Sequence, residues 1–163
     1  MKIISLVPSI SDTLCQAGLK DAVVGCTKFC VEPASLWRSA KVLGGTKDFS
    51  LSEIDALEPS HIFANQEENS RPLVENLQTK YPVHVSYPVS PHDVPAILES
   101  FGTFLGQPEP FARWAAEISE MLLNAQDTAH RRPRPKLSFL YFIWSDPYIG
   151  RNESNGTIFP KMI

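Results

Sequence analysis

The sequence predicts an α/β fold in which a central, mainly parallel sheet is flanked by helices. A short apolar run at 3–7 breaks at Pro8 and Ser9 into a helical pattern. The same succession of strand, polar turn and helix returns in looser form three more times before residue 106, and a long amphipathic stripe then covers 109–130. Parallel strands end at one edge of their sheet, so we expect a binding site in the loops that leave them.

The first two units follow this succession closely. A strand at 3–7 precedes a helix at about 10–18, for which Ser9 is the expected N-cap and Gly18 the stop. The segment 21–26 predicts the second strand.

Capping chemistry marks the next units. After the short segment 41–43, Ser50 and Glu53 have the spacing of a capping box, which predicts a short helix that ends before Pro59. A strand follows at 61–64.

The next helix follows an acidic turn at 65–69, and its apolar side consists of Leu73, Val74, Leu77 and Tyr81. The alternation in 83–87 predicts a strand near a sheet edge. Ser90 then opens a helix that Gly106 ends.

The last third of the sequence begins with the longest element. The stripe at 109–130 predicts a helix of roughly 33 Å at 1.5 Å per residue. A basic segment at 131–136, broken by prolines, predicts a solvated linker, and 137–144 predicts a fresh strand with a turn at 146–150. No convincing element follows up to residue 163, so we expect only the start of a second lobe.

Composition limits the classes of partner and compartment. The 163 residues, 43% of them hydrophobic, suffice for one ordinary core. A net charge of −3, with no basic cluster other than the proline-broken segment 131–136, predicts no nucleic-acid partner. No stretch reaches the ~20 apolar residues of a membrane-spanning helix, and no secretory signal precedes the first strand, so we expect a cytoplasmic chain as written. The three cysteines have no disulfide-framework spacing, which predicts reduced thiols.

A series of short motifs occurs in a definite order. They are Ser5-Leu6-Val7-Pro8-Ser9 with its continuation to Leu14, Val24-Gly25-Cys26-Thr27 leading to Pro33, Val42-Leu43-Gly44-Gly45-Thr46, the segment 54–64, and Pro133 and Lys136 ahead of a Phe/Tyr-rich strand. In this order and spacing they resemble the helical-backbone (class III) periplasmic substrate-binding proteins of ABC importers. The resemblance is closest to the branch for cobalamin, haem and iron–siderophore complexes and covers nearly all of 1–150.

The resemblance implies two α/β lobes joined by one rigid helix, with the ligand in the cleft between them. Residues 1–107 are then a Rossmann-like N-terminal ligand-binding lobe, 108–132 the linker helix, and 133–163 the first strand and loop of an incomplete second lobe. A complete member needs roughly another hundred residues, so we expect a truncated chain. Typical members are periplasmic or lipoprotein-anchored.

The implied function is non-catalytic binding of a metal-chelate or tetrapyrrole-like ligand, of the cobalamin, siderophore or haem class. The chain is then an ABC-importer binding protein, with a permease as partner, or a cytosolic relative. No resident cofactor is expected, since a corrinoid, haem or ferric siderophore is the ligand. Two alternatives stay open: an α/β enzyme with a reactive Cys26 or Cys30, and a degenerate fragment with little function.

Loops after the strands supply the candidate ligand-binding residues, which are Pro8, Ser9, Lys28, Phe29, Cys30, Gly45, Thr46, Glu67, Asn69, Tyr87 and Tyr148. The first loop offers backbone N–H groups at a helix start. In the family that the chain resembles, an aromatic residue such as Phe29 presses on a flat macrocycle. Simpler interpretations compete: Ser9 only caps a helix, Phe29 covers the sheet edge, and Asn69 and Ser70 begin the next helix. Gly44 and Gly45 indicate either a tight turn or close backbone approach.

Cys26 and Cys30 are spaced like two zinc ligands, to which His84 or His61 could add another. An axial thiolate to a haem or corrinoid metal and a pair of inert thiols are the other interpretations. No sequence feature supplies the base that a cysteine nucleophile needs. Cys15 is expected to pack in the first helix.

The apolar stripe of the long helix has two interpretations. Its residues Trp114, Ile118, Met121 and Leu122 are typical of a core face. Without a complete second lobe, part of this face is expected to be exposed, which predicts a homodimer through the linker helix.

Overall fold

The computed structural model describes residues 1–131. Its strands are β1 (Ile3–Ser5), β2 (Val23–Cys26), β3 (Lys41–Val42), β4 (His61–Asn65) and β5 (Val83–Ser86). Its helices are α1 (Pro8–Gln16), α2 (Ala34–Ser39), α3 (Leu51–Leu57), α4 (Arg71–Gln78), α5 (Val94–Leu105) and α6 (Phe111–Arg131), with short 3-10 turns at Lys20–Ala22 and Pro91–Asp93. The expected strand at 137–144 and Tyr148 lie outside the described residues.

The five strands form one parallel sheet in the order β3-β2-β1-β4-β5. Ile3 of β1 lies opposite Val23 on one side and His61 on the other. The predicted α/β class with a mainly parallel sheet is confirmed, and β5 lies at a sheet edge as its alternation indicated. All five strands point the same way, so their carboxyl ends share one edge, called here the carboxyl edge.

Two apolar layers cover the faces of the sheet. Ile3 and Ile4 point to opposite faces because successive residues of a strand alternate, and each belongs to a different buried cluster. The first cluster draws on α1, α2, α5 and α6, and its buried residues include Leu14, Leu36, Phe101 and Phe111. The second draws on α3 and α4 and includes Ile54, Val74 and Leu77.

Most of the expected helix ends are confirmed. The Ser50 hydroxyl accepts a hydrogen bond from the Glu53 N–H at 3.3 Å. Ser90 forms a capping box with Asp93 around the 3-10 turn Pro91–Asp93, which continues directly into α5. Gly106 ends α5 with a φ of 66°. The Ser9 prediction is wrong: α1 begins at Pro8 after Val7, so Ser9 lies inside the first turn. Proline at the first helical position starts the helix two residues earlier than predicted, because its fixed φ already suits a helix.

Two further differences are local. The second strand begins at Val23 because Lys20–Ala22 forms a 3-10 turn. The helix α2 and the two-residue strand β3 were not predicted, since both are too short to show a hydrophobic period.

The long helix is confirmed, with its start at Phe111 after Pro110. Phe111 and Ala115 are buried, and Trp114 and Ile118 pack against the first cluster, so this half of the apolar stripe is core. Met1–Glu120 forms one compact unit. In the remainder of α6, the side chain of Met121 is 68% exposed. None of the helices in 1–131 is long and apolar enough to cross a bilayer.

Candidate ligand-binding site

Each predicted ligand-binding residue within 1–131 lies in a loop or helix start at the carboxyl edge. The order of the sheet brings this about. The strand β1 is central, with β2 and β3 added on one side and β4 and β5 on the other. The order in which strands are added to the sheet therefore reverses between β1 and β4. In open parallel sheets, ligands bind outside the carboxyl ends of the strands at such a point.

Exposed side chains at this edge combine an aromatic ring with a cation. The side chain of Phe29 is 53% exposed, and the Lys28 ammonium lies 5.3 Å from the centroid of the Phe29 ring. Tyr87, directly after β5, is 44% exposed. Ser9 and Glu67 are exposed as well, whereas Pro8 and Thr46 are half-buried.

The turn Thr27–Cys30, called here the Phe29 turn, is held from two sides. The Cys30 N–H donates to the Thr27 carbonyl at 3.0 Å, which closes the turn. The Lys28 N–H donates to the Gly44 carbonyl at 2.7 Å, which ties the turn to the loop after β3. Phe29 therefore projects from a backbone that is fixed by hydrogen bonds on both of its flanks.

The paired glycines beside this turn have separate roles. Gly44 has a φ of +118°, a conformation that side chains rarely adopt. Gly45 is buried, and a Cβ there would lie 2.2 Å from the Asp48 carboxylate and 3.3 Å from the Lys28 side chain. The tight turn and the close backbone approach that the sequence left as alternatives both occur at Gly44, where a Cβ would lie 2.8 Å from the Asp48 carbonyl oxygen, whereas the neighbours of Gly45 are side-chain atoms.

Asn69 lies beneath the loops and not at their surface, since it is only 4% exposed. Its amide donates to the Leu6 and Thr46 carbonyls at 3.0 Å each, and its oxygen accepts from the Asn65 N–H at 2.8 Å. Of the two residues expected to begin the next helix, Ser70 is the N-cap of α4, which starts at Arg71, whereas Asn69 precedes that cap. Its side chain fixes three loops relative to one another.

Asn65 is a residue of this edge that the sequence reasoning missed. Its side-chain oxygen accepts from the N–H groups of Glu67 and Glu68 at 2.9 and 3.1 Å, and its amide donates to the Ser86 carbonyl at 3.1 Å. The Lys47 ammonium also donates to the Glu67 carbonyl. An asparagine at the end of a strand is typical of a turn that its own side chain closes, and this signal could have been read.

Cys30 is also buried, at 1% exposure, among hydrogen-bonding partners. The Ser11 hydroxyl donates to its sulfur at 3.1 Å, and the Thr27 hydroxyl lies 3.2 Å away. The hydrogen bond with Cys26, helped by those of Ser11 and Thr27, lowers the pKa of Cys30 to about 6 against the opposing effect of burial. The same contact, together with burial, raises the pKa of Cys26.

Neither a zinc set nor a general base accompanies these cysteines in the described part of the chain. Residues 1–131 contain no group of three or more side chains that could hold a metal ion. His84 instead packs against Phe63, Phe101 and Phe104. The partners of the Cys30 sulfur given above are hydroxyls and a thiol, which do not act as the imidazole base of a cysteine nucleophile.

A cavity of about 250 Å³ adjoins the edge between α1 and α5. Its lining is mostly apolar, and Ser9, Asn65 and Ser86 are among its polar members. A second, more polar groove of about 470 Å³ lies between α4 and the end of β4 and includes Arg71 and Glu75.

No protein-family model matches the sequence, and a search of curated proteins finds no relative. Solved structures do match. The periplasmic vitamin B12 binding protein BtuF of Vibrio cholerae has a TM-score of 0.69 at 20% identity, with 79% of this chain and 51% of that chain covered. The periplasmic heme-binding protein RhuT from Roseiflexus sp. RS-1 has a TM-score of 0.67 at 21% identity, with 82% of this chain and 52% of that chain covered.

The described lobe has the periplasmic binding protein fold. A periplasmic heme binding protein from Pseudomonas aeruginosa gives the same result, with a TM-score of 0.68 at 18% identity, over 82% of this chain and 49% of that chain. The present chain spans about half the length of these solved structures. The predicted resemblance is thus confirmed at the level of the fold.

Proposed function

We propose that this chain binds a metal-chelate or tetrapyrrole-like ligand at the carboxyl edge without transforming it. The observation that carries the proposal is the exposed Phe29 ring, with the Lys28 ammonium beside it, at the edge of a lobe with this fold. Exposing the apolar face of an aromatic ring to water is unfavourable, and this free-energy cost is removed when another apolar surface covers the ring. A flat macrocycle or an aryl chelate group is a suitable cover, and the fold neighbours named for vitamin B12 and heme support this class of ligand.

The residues divide into those that contact the ligand and those that hold the contact residues. Phe29 and Tyr87 provide aromatic surface, while Ser9, Thr46 and Glu67 provide polar groups for the ligand's rim. Pro8 and Lys28 complete the contact set. Gly45, Cys30 and Asn69 are buried beneath these residues, and we assign them to support.

The proposal includes the arrangement expected from the sequence. Residues 1–107 form the ligand-binding lobe, 108–132 the linker helix and 133–163 the beginning of a second lobe, and Tyr148 completes the set of proposed contact residues. A second lobe would cover the other face of the ligand. Since binding must first offset several kcal/mol of lost freedom, one lobe alone binds much more weakly than two. Transfer to an ABC permease and a homodimer through α6 belong to the same proposal.

The test is a thermal-shift and absorbance titration of the chain against hydroxocobalamin, hemin and a set of ferric siderophores. Saturable stabilisation by one of them, with a matching absorbance change, supports the proposal and gives the ligand class. A cooperatively folded sample that none of these compounds stabilises contradicts it.

A further inference from the structure

The cavity of about 250 Å³ between α1 and α5 has a buried apolar interior and an open rim. Ile10, Leu98 and Phe101 belong to its lining, and all three are buried. Ser9 and Pro88, which also line it, are exposed. The cavity is therefore accessible from solvent on the side of the carboxyl edge.

Short side chains on α1 leave this space open. Ser9 and Thr13 line the cavity from positions one helical turn apart, which places them on the same face of α1. Val94 and Ile97 line it from the first two turns of α5. The hydroxyl side chains of α1 are too short to fill the gap to these residues, so the two helices enclose unoccupied volume.

The inner wall of the cavity is fixed by aromatic packing. The Phe101 ring packs edge-on against Phe63, with 4.9 Å between the ring centroids, and against Phe111, with 6.2 Å between them. All three rings are buried. Close-packed interiors resist rearrangement, so this wall keeps the cavity open when it is empty.

The polar side chains of the lining are already paired within the protein. The Asn65 amide donates to the Ser86 carbonyl and hydroxyl at 3.1 and 3.2 Å, and the Ser86 hydroxyl donates to the Ala64 carbonyl at 3.3 Å. The Thr13 hydroxyl donates to the Ser9 carbonyl at 2.9 Å. None of the described residues that line the cavity carries a charge. A polar or charged group that entered would lose water without gaining a hydrogen bond from these donors, which is unfavourable.

We propose that this cavity binds an uncharged hydrocarbon group of about six to eight carbon atoms, such as a phenyl ring. A cavity of about 150 Å³ lined by Leu, Ile and Phe stays dry and holds one benzene molecule, and the present cavity is somewhat larger. Because the cavity opens beside Ser9, a ligand at the carboxyl edge can place such an arm in it. That last step rests on the proposed function, whereas binding of a hydrocarbon by the cavity itself does not.

The experiment titrates the full chain, labelled with ¹³C in its methyl groups, with toluene and follows the methyl signals by NMR. We expect saturable shifts at Val94, Ile97 and Leu98, with a Kd of about 0.1–1 mM. Val74 and Leu77 belong to the second cluster, on the other face of the sheet, and should not shift. Shifts that do not saturate, or that are equal on the two faces, would overturn the proposal.

A matched pair of variants locates the bound toluene. Val94→Phe places a ring in the cavity from a half-buried position and should raise the Kd for toluene at least about tenfold. Thr103→Phe adds the same ring to α5 at an exposed position that does not line the cavity, and should keep the Kd within about twofold. An unchanged Kd in a folded Val94→Phe variant would overturn the proposal. If that variant fails to fold, Ile97→Trp makes the same test from another half-buried position of the lining.

This titration separates the cavity from the proposed function. A chain that binds toluene here but is stabilised by none of the metal chelates supports the cavity site and contradicts the proposed function. A chain that a metal chelate stabilises, but in which toluene leaves Val94, Ile97 and Leu98 unshifted, supports the proposed function and overturns the cavity site.

Discussion

The side-chain amide of Asn69 donates to the Leu6 carbonyl at 3.0 Å and so joins two residues that are 63 positions apart in the chain. The same amide reaches Thr46. One buried side chain thereby connects the loops after β1, β3 and β4. The carboxyl edge owes its shape to this contact as well as to the sheet.

Replacing Asn69 with alanine should destabilise the lobe. The change leaves the Leu6 and Thr46 carbonyls and the Asn65 N–H without their partner, and unsatisfied buried groups cost about 1–3 kcal/mol each before relaxation. We expect the free energy of unfolding, measured in urea, to fall by about 2–4 kcal/mol. Asn76→Ala on the exposed side of α4 is the control and should change it by less than about 0.5 kcal/mol. Equal losses in the two variants would contradict the role of Asn69.

Phe29→Ala should weaken ligand binding while leaving the fold intact. Its ring is exposed, so folding loses little, whereas an aromatic contact with a macrocycle contributes about 1–2 kcal/mol. We expect Kd, measured by absorbance titration with the compound that stabilises the parent chain, to rise by about 5- to 30-fold. Trp37→Ala removes a similarly exposed aromatic from α2, which leads away from the carboxyl edge, and should leave Kd unchanged.

Gly102→Ala should destabilise the lobe even though alanine favours helices. A Cβ at this position of α5 would lie 2.9 Å from the Pro108 Cα, so backbone must move to make room. We expect a net loss of about 1–3 kcal/mol in the free energy of unfolding, because overpacking outweighs a propensity gain of about 1 kcal/mol. Thr103→Ala, at the exposed neighbouring position, serves as the comparison. A Gly102→Ala variant more stable than the parent chain would contradict the prediction and show that the backbone after α5 can move at little cost.

Acidification should destabilise the protein through His84. Burial lowers the pKa of His84, whose Nδ1 has no hydrogen-bond partner among the described residues, and burial also lowers the pKa of His61. Below the unfolded value of about 6.5, the unfolded chain binds protons that the folded chain does not. The free energy of unfolding is therefore at its highest above about pH 6.5 and decreases as the pH falls, until the folded histidines also bind protons. Each histidine lowers it by at most about 1.4 kcal/mol per pH unit.

The measurement is urea unfolding between pH 7.5 and 5 for the parent chain and for His84→Phe. The phenylalanine should keep the aromatic packing with Phe63 and Phe101 and flatten the pH dependence. If the free energy of unfolding of His84→Phe changed with pH as steeply as that of the parent chain, His84 would not be the source of the pH dependence.

Much of the fold follows from local chemistry that the sequence displays. Segments such as 62–64 are continuous apolar runs because both faces of a parallel sheet are buried. Ser50 and Ser90 mark the starts of helical segments in the sequence, because a serine hydroxyl accepts hydrogen bonds from backbone N–H groups of the first helical turn. Ser9 misled because the proline before it starts the helix without a side-chain cap.

The site was predictable in position but not in the roles of its residues. Parallel strands dictate which loops meet, so Phe29, Thr46 and Tyr87 could be placed at one edge from the sequence. Whether a polar side chain faces outward or inward depends on contacts made across the fold. The partners of Asn69 at Leu6 and Thr46 are distant in sequence, and no local pattern reveals them.

The central place of β1 in the sheet bears on the order in which the protein emerges from the ribosome. Ile3–Ser5 is synthesised before the other four strands and finds a neighbour once Val23–Cys26 follows, but its other neighbour is His61–Asn65. Until that segment is synthesised, the nascent chain carries a hydrophobic strand with one open hydrogen-bonding side. The interval between β2 and β4 is therefore the stage of synthesis at which pairing with a wrong strand, or capture by a chaperone, competes with folding.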